Sequence, residues 1–190
     1  MESLNGTLVS PFVNVTNGRE AHPKSWVAIL VQMNTEKKVS EKLTKLGIEN
    51  YVPVQSEIHQ WSDRKKKVDR IVIPMVVFLN IDKMQERSIK TFSYVYKFLS
   101  YPGQREAAVI PVDQIERLKF MLSNADSRVE LINRELHIGE EVEVVRGPLK
   151  GLAGQLFYMD DERPMVGIRL ESLGCACVNV NKCDIESKTK

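Results

Sequence analysis

The hydrophobic pattern of this 190-residue chain changes near residue 138, and the change divides the chain into two units. After this point, short apolar runs with the period of two that half-buried strands need alternate with turns rich in Gly, Pro and Asp. These runs cover residues 141–145, 153–159, 165–170, 176–180 and 184–186. Because so small a sheet cannot leave long edges exposed, the pattern predicts a five-stranded β-barrel over residues 138–186.

The N-terminal unit, residues 24–123, predicts an α+β fold in which helices flank an antiparallel sheet. The run Trp26–Val31 is apolar throughout, which is typical of a central strand covered on both faces. Helical spacing places Val39, Leu43 and Leu46 on one face of a helix that Gly47 ends. A further strand is expected over residues 71–79. Asp113, with Glu116 three residues later, predicts a capping box at the start of the last helix of this unit.

Two polar segments flank the N-terminal unit. Residues 1–23 are rich in Asn, Thr, Ser and Gly and are expected to form a flexible tail, whereas residues 124–137 are expected to be a linker. From residue 138 onward the chain has seven Lys or Arg and nine Asp or Glu, a net charge of −2. Because the whole chain carries +2, residues 1–137 carry a net charge of +4. An acidic unit binds phosphates poorly, and this balance favours a protein partner for it.

The cysteines and the missing catalytic motifs exclude several classes of function. Cys175, Cys177 and Cys183 cannot all pair with one another, which indicates a reduced, cytoplasmic environment. Their spacing is not that of a zinc site and His137 is the only nearby histidine, so we expect strand thiols and no metal site. The sequence has no nucleophile, phosphate-loop or paired-carboxylate pattern, which predicts a protein that is not an enzyme and needs no cofactor. No apolar run approaches the roughly 20 residues of a membrane helix.

A basic run in the N-terminal unit is the best candidate for contact with nucleic acid. Lysine and arginine neutralise phosphates, and a nearby aromatic ring can stack on an unpaired base. The candidate residues are Trp61, Arg64, Lys65, Lys66 and Lys67. The alternative is that this run is an ordinary solvated loop.

Two motifs give the chain a resemblance to a known family. Residues 138–154, IGEEVEVVRGPLKGLAG, resemble a KOW motif, in which Gly147 and Gly151 permit a tight turn between strands. The front half resembles the N-terminal domain of NusG-type transcription elongation factors, and the resemblance covers residues 24–186. The matching segments are Trp26-Val27-Ala28, Gly47 to Pro53, Lys65 to Val68, Ile73 to Phe78, Ile110-Pro111 and Ile115 to Leu118.

One departure from the family pattern points to a subgroup. General NusG proteins usually carry Phe-Pro-Gly-Tyr where this chain has Ile73-Pro74-Met75-Val76. The difference makes the chain look more like a specialised paralogue of the UpxY or RfaH kind, which acts on chosen operons. UpxY-type proteins are linked to capsular polysaccharide operons.

The resemblance implies an antitermination factor that binds elongating RNA polymerase and suppresses pausing or premature termination. The contact with the clamp helices of the largest polymerase subunit would include Leu30, Ile73, Pro74, Met75 and Val76, unless these are ordinary core residues. The basic run would then lie near DNA of the transcription bubble. A small-subunit ribosomal protein or the termination factor Rho would bind the barrel at Leu149, Leu152 and Leu173. The alternative is an RNA-binding, translation-associated KOW protein.

Overall fold

The computed structural model describes residues 23–60, 65–132, 138–158, 164–170 and 173–188. Nearly all of the predicted tail, residues 1–22, lies outside the described residues. The N-terminal elements are β1 (Ser25–Val31), α1 (Glu36–Lys45), β2 (Glu49–Tyr51), β3 (Val54–Gln60), β4 (Lys65–Ile71), β5 (Val76–Ile81), α2 (Lys83–Ile89), β6 (Val95–Phe98) and α3 (Val112–Asn124). The C-terminal elements are β7 (Val129–Ile132), β8 (Ile138–Val144), β9 (Ala153–Tyr158), β10 (Pro164–Leu170), β11 (Gly174–Asn179), a short 3₁₀ turn (Lys182–Asp184) and β12 (Ile185–Ser187).

The N-terminal unit is built on a four-stranded antiparallel sheet with the strand order β2-β5-β1-β6. The prediction of a central strand at Trp26–Val31 is confirmed, because β1 pairs on both sides. On one face of the sheet, Val27 and Ile29 share a buried core with Val39 and Leu43 of α1. On the other face, Trp26 and Ala28 belong to a buried cluster that contains Ile115 and Leu118 of α3. The sheet is therefore covered on both faces, as its apolar sequence requires.

The sequence correctly predicted where α1 ends, but it predicted the wrong cap for the start of α3. α1 is followed by Gly47 with a φ of 73°, as predicted. The predicted capping box at Asp113 is wrong: α3 has Pro111 as its N-cap, and Asp113 lies inside the first turn, where it pairs with Arg117. A capping box forms instead at α2, where the Asp82 carboxylate accepts the N–H groups of Met84 and Gln85, each at 2.8 Å.

The strand predicted over residues 71–79 is interrupted. β4 ends at Ile71, β5 begins at Val76, and residues 72–75 form a turn between them. Met75 has a φ of 64°, a left-handed conformation that is uncommon outside glycine. This turn contains three of the residues predicted to contact polymerase, and Val76 follows it directly.

The C-terminal unit is a six-stranded sheet with the order β12-β8-β9-β10-β11-β7. Each of the five predicted runs overlaps a strand, which confirms the β-rich character of this unit; closure into a KOW barrel stays a prediction. The sixth strand, β7, lies within the segment predicted as a linker and pairs antiparallel with β11. Gly147 and Gly151 have φ values of 79° and 90° in the connection between β8 and β9, as the motif predicted.

The two units share a core. The cluster beneath α3 continues into the C-terminal sheet through Val142, Ile168 and Ala176. The Arg117 side chain of α3 also donates to the backbone oxygen of Ala153, at 3.4 Å. In the part of the chain that the structure describes, every helix falls short of the length and apolar character that crossing a bilayer requires.

Candidate functional site

The predicted polymerase contact divides into a buried half and an accessible half. Ile73 is only 1% exposed and Val76 only 2% exposed, because both belong to the buried cluster that includes side chains of α3. Pro74 is exposed, whereas Met75 and Leu30 are half-buried, and Leu30 is the cross-strand partner of Val76. The surface that this region offers a partner is therefore Leu30, Pro74 and Met75. Ile73 and Val76 form the base beneath it.

The backbone of Met75 is held from two sides. Its N–H group donates to the Glu36 carboxylate, with the nitrogen 2.7 Å from Oε1, and its carbonyl oxygen accepts the N–H group of Val31 at 2.8 Å. Glu36 lies in the first turn of α1 and is only 1% exposed. Its Oε2 is buried and has no hydrogen-bond partner among the described residues. α1 and β1 thus fix the left-handed conformation of the turn.

The basic run forms part of a two-stranded hairpin. β3 pairs with β4 in a register that places Ile58 opposite Lys67 and His59 opposite Lys66. Lys66 and Lys67 are exposed, and Lys65 begins β4. Because neighbouring residues of a strand point to opposite faces, Lys66 and Lys67 present their charges on different sides of the hairpin. Trp61 and Arg64 lie outside the described residues.

An acidic residue offsets the positive charge nearer the base of the hairpin. The Asp69 carboxylate accepts a hydrogen bond from the Ser56 hydroxyl at 2.8 Å and pairs with the Lys37 ammonium group of α1 at 3.2 Å. These two hydrogen bonds, with the charges of Lys37 and Lys67, hold the pKa of Asp69 below its usual value. The excess of positive charge on β4 is therefore at Lys66 and Lys67, toward the tip.

A polar network joins the base of the hairpin to the segment that enters β7. Gln55 is only 3% exposed; its Nε2 donates to the carbonyl of Ser127 at 2.8 Å, and its Oε1 accepts the N–H group of Val129 at 2.9 Å. Arg70 Nη2 donates to Gln55 Oε1 at 3.0 Å and to the Val129 carbonyl at 2.7 Å. Arg70 also pairs with Glu57. We call Gln55, Glu57, Arg70, Ser127 and Val129 the junction network.

Sequence reasoning missed both Glu36 and the junction network. Glutamate in the first turn of a helix is common at exposed positions, so nothing in the sequence marks Glu36 as buried. Gln55 and Val129 are 74 positions apart, and no local pattern relates them.

The three leucines predicted to bind a partner protein are mostly internal. Leu152 is 1% exposed and Leu149 is 7% exposed, both within the shared core, and Leu173 is half-buried against the same core. Leu149 also lines a cleft of about 540 Å³. The other walls of the cleft come from the turn at Arg146, Gly147 and Pro148, from residues 179–182 and from Asp126 and Ser127.

The N-terminal unit matches a known protein family. A protein-family model described as "Transcription termination factor nusG" matches residues 24–119, which run from before β1 into α3. The structure titled "Domain interaction in Thermotoga maritima NusG" is similar at 18% identity, covering 87% of this chain and 98% of that chain, with a TM-score of 0.48. The structure of the "MjSpt4:Spt5 complex conformation B" is similar at 17% identity, covering 87% and 97%, with a TM-score of 0.28. None of the curated proteins matches this chain.

Proposed function

Because the chain belongs to the NusG family of transcription elongation factors, we propose that it binds elongating RNA polymerase and suppresses pausing or premature termination. The observation that carries this proposal is the family match across residues 24–119, which includes the whole four-stranded sheet and its three helices up to the last turn of α3. The mechanism is mechanical: the factor contacts polymerase, uses no cofactor and is not an enzyme.

The proposed polymerase contact consists of Leu30, Pro74 and Met75, with Ile73 and Val76 as their support. Interface anchors work best when they are apolar and preorganised on a rigid element. The turn meets both conditions, since Glu36 and Val31 fix the backbone of Met75 and the side chains of Ile73 and Val76 are buried beneath it. The partner that we propose for this surface is the pair of clamp helices of the largest polymerase subunit.

Replacing Met75 with asparagine is expected to weaken binding to core RNA polymerase by about 10-fold or more, because a partly exposed apolar anchor is lost. Asparagine tolerates the left-handed conformation better than methionine does, so the fold is expected to be kept. The measurement is the dissociation constant for purified polymerase from the native host, with circular dichroism of the free variant. Met84→Asn at an exposed position on α2 is the matched control. Equal affinities of the Met75 variant and the unmodified chain would remove this turn from the interface.

We further propose that the factor acts on selected operons, such as capsular polysaccharide loci, as a paralogue of the UpxY or RfaH kind. Its support is the sequence Ile73-Pro74-Met75-Val76 in place of the aromatic-rich segment of general NusG proteins. The test is single-round transcription by the host polymerase on a capsule-operon template and on a housekeeping template. Longer transcripts on the first template alone would support selectivity, and equal effects on both would indicate a general factor.

The hairpin is proposed to contact DNA of the transcription bubble through Lys66 and Lys67, together with Trp61, Arg64 and Lys65. Replacing Lys66 and Lys67 with glutamine is expected to make the slope of log K against log salt, where K is the association constant for duplex DNA, less negative by about 2. Each phosphate contact contributes about −0.9 to this slope. The measurement is DNA affinity of the polymerase-bound factor over a range of salt concentrations. Lys45→Gln with Arg87→Gln removes the same charge from exposed positions on α1 and α2 and serves as the control. An unchanged slope would leave the basic run as a solvated loop.

The C-terminal sheet is proposed to bind a second protein, either a small-subunit ribosomal protein or Rho. Its support is the net charge of −2 from residue 138 onward and the cleft that Leu149 lines. Binding to ribosomal RNA freed of protein, at moderate salt, distinguishes this function from that of an RNA-binding, translation-associated protein. Retention on the bare RNA would favour the translational role.

A further inference from the structure

Met75 has a backbone conformation that is unusual for its residue type. In the part of the chain that the structure describes, Asn34 and Met75 are the two residues other than glycine with a positive φ, each at 64°. Asparagine visits the left-handed region readily because its short polar side chain can form local hydrogen bonds, whereas a methionine enters that region at a cost in energy. The conformation of Met75 therefore depends on contacts with other residues.

Two hydrogen bonds hold the backbone of Met75, and one of them comes from a side chain. The carbonyl oxygen of Met75 accepts the N–H group of Val31 at 2.8 Å, a bond between two backbones that almost any residue type could form. The N–H group of Met75 donates to Oε1 of Glu36, with 2.7 Å between the two atoms. The second bond exists because residue 36 carries an acceptor of the right length, so a substitution can remove it.

The surroundings of Glu36 do not by themselves account for its burial. The positive end of the α1 dipole favours a negative charge in the first turn, but that effect operates equally well at an exposed position. Glu36 is only 1% exposed, and its Oε2 is buried with no hydrogen-bond partner among the described residues. A buried carboxylate oxygen without a partner lowers the stability of a fold. The hydrogen bond that the structure gives this carboxylate goes to Met75, which points to a role in the turn.

The conformation of Met75 determines which side chains the turn presents. Residues 72–75 connect β4 to β5. With Met75 in the left-handed region, the side chains of Ile73 and Val76 are buried, whereas Pro74 is exposed and Met75 itself is half-buried. The dihedral angles of a turn residue set the direction of the chain that follows it. Another conformation at Met75 would therefore change which of these side chains faces a partner.

We propose that Glu36 is a positioning residue for the polymerase contact. Its carboxylate holds Met75 in the left-handed conformation, and that conformation orients the Pro74 and Met75 side chains for docking. The inference rests on the proposed function, because it concerns the same surface. Glu36 is buried and does not itself touch the partner, so a substitution at Glu36 changes polymerase binding through Met75.

The first test measures the turn without polymerase, by amide hydrogen exchange of the free full-length chain. In Glu36→Leu, which keeps the approximate size of the side chain, the Met75 N–H group loses its acceptor and the turn opens more often. Exchange at Met75 is then expected to be about 10-fold faster or more. In Glu36→Gln the side-chain carbonyl oxygen can still accept, so exchange is expected to stay within about 2-fold of the unmodified chain. The Leu99 amide, which donates to the carbonyl of Ala28 at 2.9 Å, is the internal reference and is expected to be unchanged.

The second test measures the dissociation constant for core RNA polymerase from the native host. Glu36→Leu is expected to bind about 10-fold more weakly than the unmodified chain, close to the effect of Met75→Asn, whereas Glu36→Gln is expected to stay within about 2-fold. Because Glu36 acts through Met75, the double variant Glu36→Leu, Met75→Asn is expected to bind no more weakly than Met75→Asn alone. Glu41→Leu, at an exposed position of the same helix, is the matched control and is expected to bind like the unmodified chain.

The two tests separate this inference from the function on which it rests. If exchange at Met75 is the same in Glu36→Leu as in the unmodified chain, or if Met75 and Leu99 accelerate equally, Glu36 does not position the turn. The inference is also wrong if Glu36→Leu binds polymerase as tightly as the unmodified chain, or if its effect multiplies that of Met75→Asn. In each of these cases the proposed function stands. Failure of the unmodified chain to bind polymerase would instead contradict the proposed function, and the docking role of Glu36 with it.

Discussion

The variant Ile73→Asp is expected to unfold the N-terminal unit, whereas a substitution at a docking contact would leave a folded protein. Ile73 is 1% exposed within the cluster that includes α3 side chains, so aspartate would place a carboxylate in an apolar core without a partner. The expected loss exceeds about 4 kcal/mol in the free energy of unfolding, a large share of the total for a domain of this size. The measurement is urea unfolding followed by circular dichroism.

The neighbouring position gives the matched control for this prediction. Pro74 is exposed in the same turn, and aspartate is a common turn residue, so Pro74→Asp is expected to change stability by less than about 1 kcal/mol. The same variant is expected to weaken polymerase binding. An Ile73→Asp protein with the unfolding midpoint of the unmodified chain would show that this side chain is not part of the core.

The second large effect is expected at the junction network. Gln55→Leu keeps the size of the side chain but removes its bonds to Ser127, Val129 and Arg70. The Val129 N–H group and the Ser127 carbonyl would lose these partners, and each buried unsatisfied group costs about 1–3 kcal/mol. We expect a loss of about 2–4 kcal/mol in the free energy of unfolding. Hydrogen exchange is expected to be faster at the Val129 amide.

An exposed glutamine provides the comparison. Gln104 lies between β6 and α3 with an exposed side chain, and Gln104→Leu is expected to be nearly neutral. A double-mutant cycle of Gln55→Leu with Arg70→Lys then measures the coupling between the two side chains. Equal stabilities of the Gln55 and Gln104 variants, with an unchanged Val129 exchange rate, would contradict the importance of the network.

The docking hypothesis changes between sequence and structure because burial divides the segment Ile73–Val76. From the sequence, Ile73, Pro74, Met75 and Val76 form one apolar stretch, and any of them could face a partner. In the folded chain Ile73, in the turn at residues 72–75, and Val76, at the start of β5, are buried in the core. Pro74 is exposed and Met75 is half-buried. The contact proposed for polymerase is therefore smaller than the sequence indicates.

The sequence by itself determined the elements whose signals are local. An unbroken apolar run predicted β1, helical spacing and Gly47 predicted α1, and a period of two with glycine turns predicted the five C-terminal strands. Hydrophobic periodicity and glycine conformation act within a few residues, so they can be recognised along the chain.

Only the tertiary structure decided which side chains are accessible and which distant groups meet. β7 exists as a strand because β11 supplies its hydrogen-bond partners, Glu36 is buried because Met75 offers it an N–H group, and Gln55 is buried because Ser127 and Val129 satisfy its amide. Short strands and buried polar groups are stable only when such partners are present. Those partners lie between 39 and 74 positions away, where no local pattern can indicate them.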